Sequence, residues 1–250
     1  EKLQIVNRSG AYLLALINDV LELAKVESGR VVLQDSLFDM RRLLRDMGSL
    51  FQVRVDQKGL ELLLEAAEPL PRNVLGDEGK IRRILVNLLG NALKFTDRGS
   101  ISVRLSGEAL ADGRWRLRMV VKDSGIGIAQ EDQEAIFGYF EQAYHQQHDR
   151  GGTGLGLAIS REFARAMGGD ISVSSSPGQG AEFLVTLVLE EGTPQEAAAQ
   201  QPKVAAGLLP GQRAYRILVA MPVGTDALLL QAILEQAGFL AVAAKKKKKL

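Results

Sequence analysis

The chain contains no cysteine and only two histidines, His145 and His148. The first absence excludes a disulfide scaffold, a cysteine-ligated zinc and thiol catalysis. The second excludes a structural zinc built on the histidine pair, because such a site usually takes four ligands and no other histidine or cysteine is available. Neither sign of charge dominates: Lys and Arg number 31 against 30 Asp and Glu, a net charge of +1, so the overall balance makes no case for nucleic acid. No uninterrupted apolar run approaches the roughly 18 to 20 residues of a membrane helix, and the N-terminus lacks a signal-peptide layout. These absences predict a soluble chain that is not itself membrane-inserted. What is present is a globular composition, 46% hydrophobic over 250 residues, enough for one or two sizeable cores.

The organisation shifts four times along the chain. From Leu3 to Val26, apolar residues Ile5, Tyr12, Leu13, Leu16, Ile17, Val20, Leu23 and Ala24 recur at helical spacings. The width of that stripe predicts packing against another helix, in a second subunit or elsewhere. From Ser28 to about Glu190 the pattern is mixed. Strand-like runs are "LELLLEA" (60–66), "ISVRL" (101–105), "WRLRMVVKD" (115–123), "DISVSSS" (170–176) and "AEFLVTLVLE" (181–190). Asp112-Gly113 reads as a hairpin turn, and "PGQG" (177–180) as a second turn. Helix-like runs are 77–95, 131–140 and 154–167, the first opened by Asp77 and buried through Ile81, Ile84, Leu85, Leu88, Leu89 and Ala92. Helices on one face of a largely antiparallel sheet, an α+β fold, is the economical arrangement.

A composition rich in Ala, Gln, Gly and Pro follows, read as a linker over 191–213. Residues 214–250 give a strand, a helix from about Thr225 to Ala237 and a strand near Phe239, the beginning of a βαβ unit. Lys245 to Lys249 form a lysine run without aromatic interleaving, read as a solvated tail.

Three elements carry chemistry. "GGTGLG" (151–156) opens a helix, yet it has neither the Lys-Ser/Thr of a Walker loop nor the glycine spacing of a dinucleotide fingerprint. "DSGIGI" (123–128) is a second glycine stretch, headed by a carboxylate and following a strand. "NLLGNALKF" (87–95) sets Asn87, Asn91 and Lys94 at i, i+4 and i+7 on one helical face. Carboxamide oxygens suit a hard cation such as magnesium, and an ammonium neutralises phosphate as a point charge. Taken singly, each element also fits a bland role: a loop, a locally bonded asparagine, a lysine at a helix C-terminus.

Together, and in this order, the elements resemble the ATP-binding domain of sensor histidine kinases, in the superfamily shared with gyrase. "NLLGNALKF" is similar to the family's asparagine box, "DSGIGI" and "GGTGLGLAIS" (151–160) to its two glycine boxes, and "FGYFEQ" (137–142) to its phenylalanine box. The N-terminal stripe resembles the second helix of the dimerisation and phosphotransfer domain. The resemblance implies a two-layer α/β sandwich of the Bergerat type behind a long dimerisation helix. Its domains would be that helix (1–28), the ATP-binding catalytic domain (29–190), the linker (191–213) and the start of a receiver-like domain (214–250). Ala220, Met221 and Pro222 stand where a receiver's first strand normally ends in magnesium-holding acids, which implies a degenerate receiver.

The implied ligands are ATP and Mg2+. Asp123 would accept from the adenine amino group, with Gly125, Gly127, Ile128 and Phe140 around the base. Asn91 would ligate magnesium, Asn87 and Lys94 would meet the phosphates, and Gly152, Thr153, Gly154, Leu155 and Gly156 would bring main chain to them. Residues 141–150 would form a mobile lid. The family's phosphoacceptor is followed by an acidic residue and, a few places on, a proline, whereas His145 is followed by Gln146 and Gln147; the resemblance places the acceptor on a helix before Glu1 and implies that His145 and His148 are solvated lid residues. The implied setting is the cytoplasmic part of a bacterial hybrid kinase, homodimeric through the N-terminal helix, with a response regulator or receiver as partner. Two other classes fit the same motifs: a clamp ATPase of the gyrase or mismatch-repair type, disfavoured because Asn87 stands where a water-activating glutamate is usual, and a pseudokinase scaffold that modulates another kinase.

Overall fold

The computed structural model describes residues 31–140 and 154–193, residues 20–24, 216–219 and 239–243, and Gly10, Leu13, Ile17 and Leu234. Two compact units divide the chain, Glu1–Ala199 and Gln200–Leu250.

The first unit is one mixed sheet with helices on one face. In chain order the elements are β1 (Ser36–Asp39), α1 (Met40–Gln57), β2 (Glu61–Ala66), β3 (Asn73–Gly76), α2 (Glu78–Phe95), β4 (Ser100–Ala109), β5 (Arg114–Asp123), α3 (Gly156–Ala166), β6 (Asp170–Ser175) and β7 (Ala181–Glu191). The strand order is β1-β3-β7-β5-β4-β2, with β6 also on β7; every pairing is antiparallel except β2 with β4. Burial alternates along β4, β5 and β7, so one sheet face is covered and the other meets water. The covered face supplies Ile101, Val103, Leu105, Leu117, Met119, Val121, Val185 and Leu187; the helices supply Met47, Phe51, Ile84, Leu85, Leu88 and Phe163. The expected α+β class and the six expected core residues of α2 are all present.

The hairpin between β4 and β5 closes as expected, with Leu110 N–H donating to Arg114 O at 2.7 Å and Gly113 at φ +83°. Three readings change. Helix α1 has no counterpart among the sequence expectations, although Met40, Leu43, Leu44, Met47, Phe51 and Val55 repeat at helical spacing. The α-helix expected over 131–140 is instead two single 3-10 turns, Gln130–Asp132 and Ala135–Phe137. Tertiary contacts override helical propensity there: Gln133 Nε2 donates to Ser175 O (2.8 Å) and Ile128 O (3.3 Å), and Phe140 has a φ of +64°. The helix near the second glycine stretch starts at Gly156 rather than Gly154.

Residues 20–24 are helical; the remainder of the N-terminal helix lies outside the described residues, apart from Gly10, Leu13 and Ile17, which are helical too. In the second unit, β8 (Arg216–Val219) and β9 (Leu240–Ala243) pair in parallel, as a βαβ beginning requires. The expected helix at 225–237 is outside the described residues except for Leu234.

Asp77 anchors α2 and the segment leading into the sheet. Its Oδ1 accepts from Lys80 N–H and its Oδ2 from Gln34 N–H, both at 2.9 Å, and Lys80 Nζ bridges Asp77 to the Val32 carbonyl. Burial pushes the Asp77 carboxyl up, but Lys80 and the two backbone N–H groups outweigh it and hold it below the ordinary 3.8. A depressed carboxyl stabilises the fold above its unfolded value, and that contribution is lost as pH falls through the lower, folded value. Asp77→Ala is expected to cost about 1–2 kcal/mol in urea unfolding at neutral pH. The gap from the parent protein should narrow below the ordinary carboxylate range.

Candidate functional site

Helix α2 positions the site because it touches both glycine-bearing loops. Near its middle, Asn87 Nδ2 donates to Ser160 Oγ of α3 at 3.1 Å, and the same hydroxyl donates to Gly156 O at 2.7 Å. A Cβ on Gly156 would stand 2.4 Å from Asn87 Oδ1, so a side chain there would displace the carboxamide. At the C-terminal end of α2, Phe95 O accepts from Ile126 N–H at 3.4 Å and lies 2.5 Å from where a Gly125 Cβ would be. Eight residues of helix separate Asn87 from Phe95, about 12 Å at 1.5 Å per residue. Asn91 is one turn from each contact, on the ridge that runs from one loop to the other. Asn87, Asn91 and Lys94 are all half-buried, and Lys94 Nζ sits 4.6 Å from the centroid of the Phe95 ring.

Asp123 closes β5 and is 8% exposed. Its Oδ1 accepts from Gly125 N–H at 2.8 Å, and the Ala181 backbone also contributes a hydrogen bond. Burial pushes the Asp123 carboxyl above its ordinary value, more than these bonds lower it. Thr96 lies beside it at the end of α2, and its buried hydroxyl helps to favour the ionised carboxylate. The "PGQG" turn, expected only as a connection, is the floor of this loop. Gly178 N–H donates to Ile126 O at 2.7 Å, and a Cβ on Gly127, whose φ is +72°, would meet Ser176 O at 2.0 Å. Ile128 N–H donates to Ser175 Oγ at 2.8 Å and its side chain packs on the core.

The second glycine stretch is described from Gly154. Gly154 has φ +70°, and its carbonyl accepts from Phe140 N–H at 3.1 Å. Leu155 is fully buried, so its side chain belongs to the core and only its backbone can face a ligand. Phe140 is 61% exposed. Gly152, Thr153, the expected lid at 141–150 and both histidines lie outside the described residues. The structure thus brings Asn87, Asn91, Asp123, Gly125, Gly127 and Gly156 around α2. Sequence reasoning missed Ser160, Thr96 and the 176–180 turn; the signal for Ser160 was its place four residues after Gly156 on a buried helix face.

Oxygen donors on a half-buried ridge suit Mg2+, which keeps waters and takes phosphate oxygens besides one or two protein ligands. No cluster of three or more His, Cys, Asp or Glu residues that could hold a metal occurs among the described residues. A metal here would therefore depend on Asn carboxamide and nucleotide oxygens, and the residues present fit that role. The eleven-residue α3 starts without a side-chain cap, and a helix N-terminus is favourable to an anion.

A mostly antiparallel sheet, helices on one face and two glycine loops bridged by an asparagine-bearing helix define a nucleotide-binding ATPase domain. Residues 76–191 match the family described as "Histidine kinase-, DNA gyrase B-, and HSP90-like ATPase", and the chain carries a domain of that family. Its relatives include the signal transduction histidine-protein kinase BarA of Escherichia coli K12, 40% identical over 191 residues (76% of this chain, 21% of BarA). The sensor protein GacS of Pseudomonas syringae pv. syringae is 39% identical over 185 residues (74% of this chain, 20% of GacS). The chain therefore spans about a fifth of the length of these curated relatives. Among solved structures, full-length ShkA in complex with AMPPNP aligns with a TM-score of 0.65 and 34% identity, over 98% of this chain and 48% of that one. The Acinetobacter baumannii histidine kinase AdeS aligns with a TM-score of 0.57 and 25% identity, over 76% and 84% respectively.

Asp123 generates an expectation in which stability and binding part company. Because burial raises its pKa, the ionised carboxylate opposes folding above the folded pKa, and that cost disappears as pH falls through it. Asp123→Asn keeps an acceptor for Gly125 N–H. It should leave the thermal midpoint unchanged or higher at neutral pH, while ATP binding measured by calorimetry weakens by roughly 1.5–3 kcal/mol. Unchanged affinity would remove Asp123 from the site.

Proposed function

We propose that this chain is the catalytic part of a hybrid sensor histidine kinase. On this reading it binds Mg-ATP across α2 and passes the γ-phosphate to a histidine other than His145 or His148, for relay to a response-regulator aspartate. The observation that carries the reading is α2 itself, in contact with the "DSGIGI" loop at Phe95 and with α3 at Asn87. Asp123 accepts a hydrogen bond from the adenine amino group; guanine presents an oxygen at that position, so the carboxylate selects the base. Gly125, Gly127, Ile128 and Phe140 frame the base. Lys94, Asn87 and the backbone from Gly152 through Thr153, Gly154 and Leu155 to Gly156 meet the phosphates. Asn91 holds the metal, whose contribution is to neutralise phosphate charge. The protein's share is positioning and electrostatic complementarity.

Asn87 has no basic atom with which to activate water, which favours transfer over hydrolysis. Four domains belong to this proposal (1–28, 29–190, 191–213 and 214–250); the division between compact units at Ala199–Gln200 supports the linker, and the first two domains fall in one unit. Self-association through the first of them is supported by Leu13, Ile17, Val20 and Leu21, all of which expose at least 44% of their surface. Placement in the cytoplasm is part of the same proposal; no helix among the described residues is long and apolar enough to cross a membrane.

The chain incubated with Mg-ATP should bind nucleotide, gain no acid-labile phosphate and release little inorganic phosphate. Supplying a histidine-bearing helix able to pair with residues 3–26 should produce phosphohistidine on that helix. Gly154→Val should abolish the labelling, because a β-branched residue resists the φ of +70° found there. Label on His145 or His148 would refute the assignment, and absence of ATP binding would leave the scaffold reading. In sedimentation equilibrium, Ile17→Asp should shift the chain toward monomer.

A further inference from the structure

We propose that Arg161 is a positioning residue for the nucleotide, fixing the phosphate-facing start of α3 at a set distance from the base-facing loop. The inference rests on the ATP reading above. Arg161 lies in the second turn of α3, and its side chain is 16% exposed. Nε donates to Asp170 Oδ1 at 2.9 Å and Nη2 to Asp170 Oδ2 at 3.4 Å. Nη1 donates to Glu134 Oε1 at 2.6 Å, and Cζ stands 4.7 Å from the centroid of the Phe137 ring. One guanidinium thus joins three separate pieces of chain: α3, the first residue of β6, and the 3-10 turn that follows the "DSGIGI" loop.

These pieces form a closed triangle. At the far end of β6, Ser175 Oγ accepts from Ile128 N–H at 2.8 Å and donates to Gly180 O at 2.6 Å, and Ser175 O accepts from Gln133 Nε2 at 2.8 Å. The base-facing loop is therefore tied to one end of β6, and Arg161 ties α3 to the other. Asp170 is itself held: its side chain accepts from Ile171 N–H at 2.8 Å and its own N–H donates to Thr186 Oγ1 at 3.0 Å. Glu134 and Phe137 supply the third side, from the turn directly to α3. Exposed ion pairs contribute little to stability, and the Glu134 side chain is 83% exposed. A planar fork that contacts two carboxylates and a ring is suited to holding geometry, a task a lysine point charge does not perform.

A ligand that spans both loops depends on this spacing, whereas one that touches only the base loop does not. With the full chain, Arg161→Met should weaken Mg-ATP binding about tenfold, measured by titration calorimetry. Adenosine affinity, followed by NMR titration, should stay within about twofold in the same variant. Arg161→Lys, which keeps the charge and loses the fork, should not restore ATP affinity. Glu134→Gln removes one arm at an exposed position and should weaken Mg-ATP about threefold, which keeps the test alive if Arg161→Met fails to fold. Equal losses for ATP and adenosine, unchanged ATP affinity, or full recovery with lysine would each overturn the proposal. Failure of the unsubstituted chain to bind ATP would instead refute the nucleotide reading, and this inference with it.

Discussion

The carboxamide of Asn87 occupies space that a side chain at position 156 would need. That exclusion sets how closely α3 can approach α2, and the rest of the site is arranged around it. The approach is not left to van der Waals packing alone. Ser160, buried one turn into α3, accepts from Asn87 and donates to the Gly156 carbonyl, so the hydroxyl fixes the asparagine rotamer and the first turn of the helix together. With α2 pinned to the sheet by Ile81, Ile84, Leu85, Leu88 and Leu89, both helices become rigid walls and the glycine loops are what can vary.

The opposite end of the site accepts an energetic cost. Asp123 is buried beside the Thr96 hydroxyl, and burial raises its pKa. A pocket selected for stability alone would not keep an ionisable group there. The carboxylate is tolerated because Gly125 and Ala181 hydrogen bond to it and because the 176–180 turn braces the loop from below. On the proposed reading, the adenine amino group adds one more donor to this carboxylate.

Much of this was legible from the residues. The apolar spacing of α2, the alternation of β5 and the Asp112-Gly113 hairpin are local signals, and each reads directly as the element it forms. The asparagine ridge was legible too, since helical periodicity alone puts Asn87, Asn91 and Lys94 on one face. What escaped was tertiary. The 130–137 segment carries helix-forming residues but is drawn into 3-10 turns by Gln133 and by the Arg161 contacts with Glu134 and Phe137, which no local pattern announces. The "PGQG" turn reads correctly as a turn, yet its role as the floor of the Asp123 loop depends on β7 pairing with β5 and β6 with β7. Helix α1 was missed although Met40, Leu43, Leu44, Met47, Phe51 and Val55 keep a clear helical period.

The same geometry bears on what the site does with a nucleotide. Water activation needs a base within hydrogen-bonding reach of the attacking oxygen. The α2 ridge offers two neutral carboxamides and an ammonium, and the Asn87 Nδ2 is already committed to Ser160. Asp123 lies beside Thr96, at the end of α2 that is about 12 Å along the helix from Asn87, and is hydrogen bonded into its own loop. On the proposed reading, phosphate charge is neutralised at one end while the base is selected at the other, and neither the α2 ridge nor Asp123 activates the nucleophile. The attacking atom must then bring its own basicity, as a neutral imidazole does at physiological pH. On that reading the site would hold ATP until a suitable acceptor arrives, which is the property a signalling phosphotransfer requires and a clamp ATPase does not.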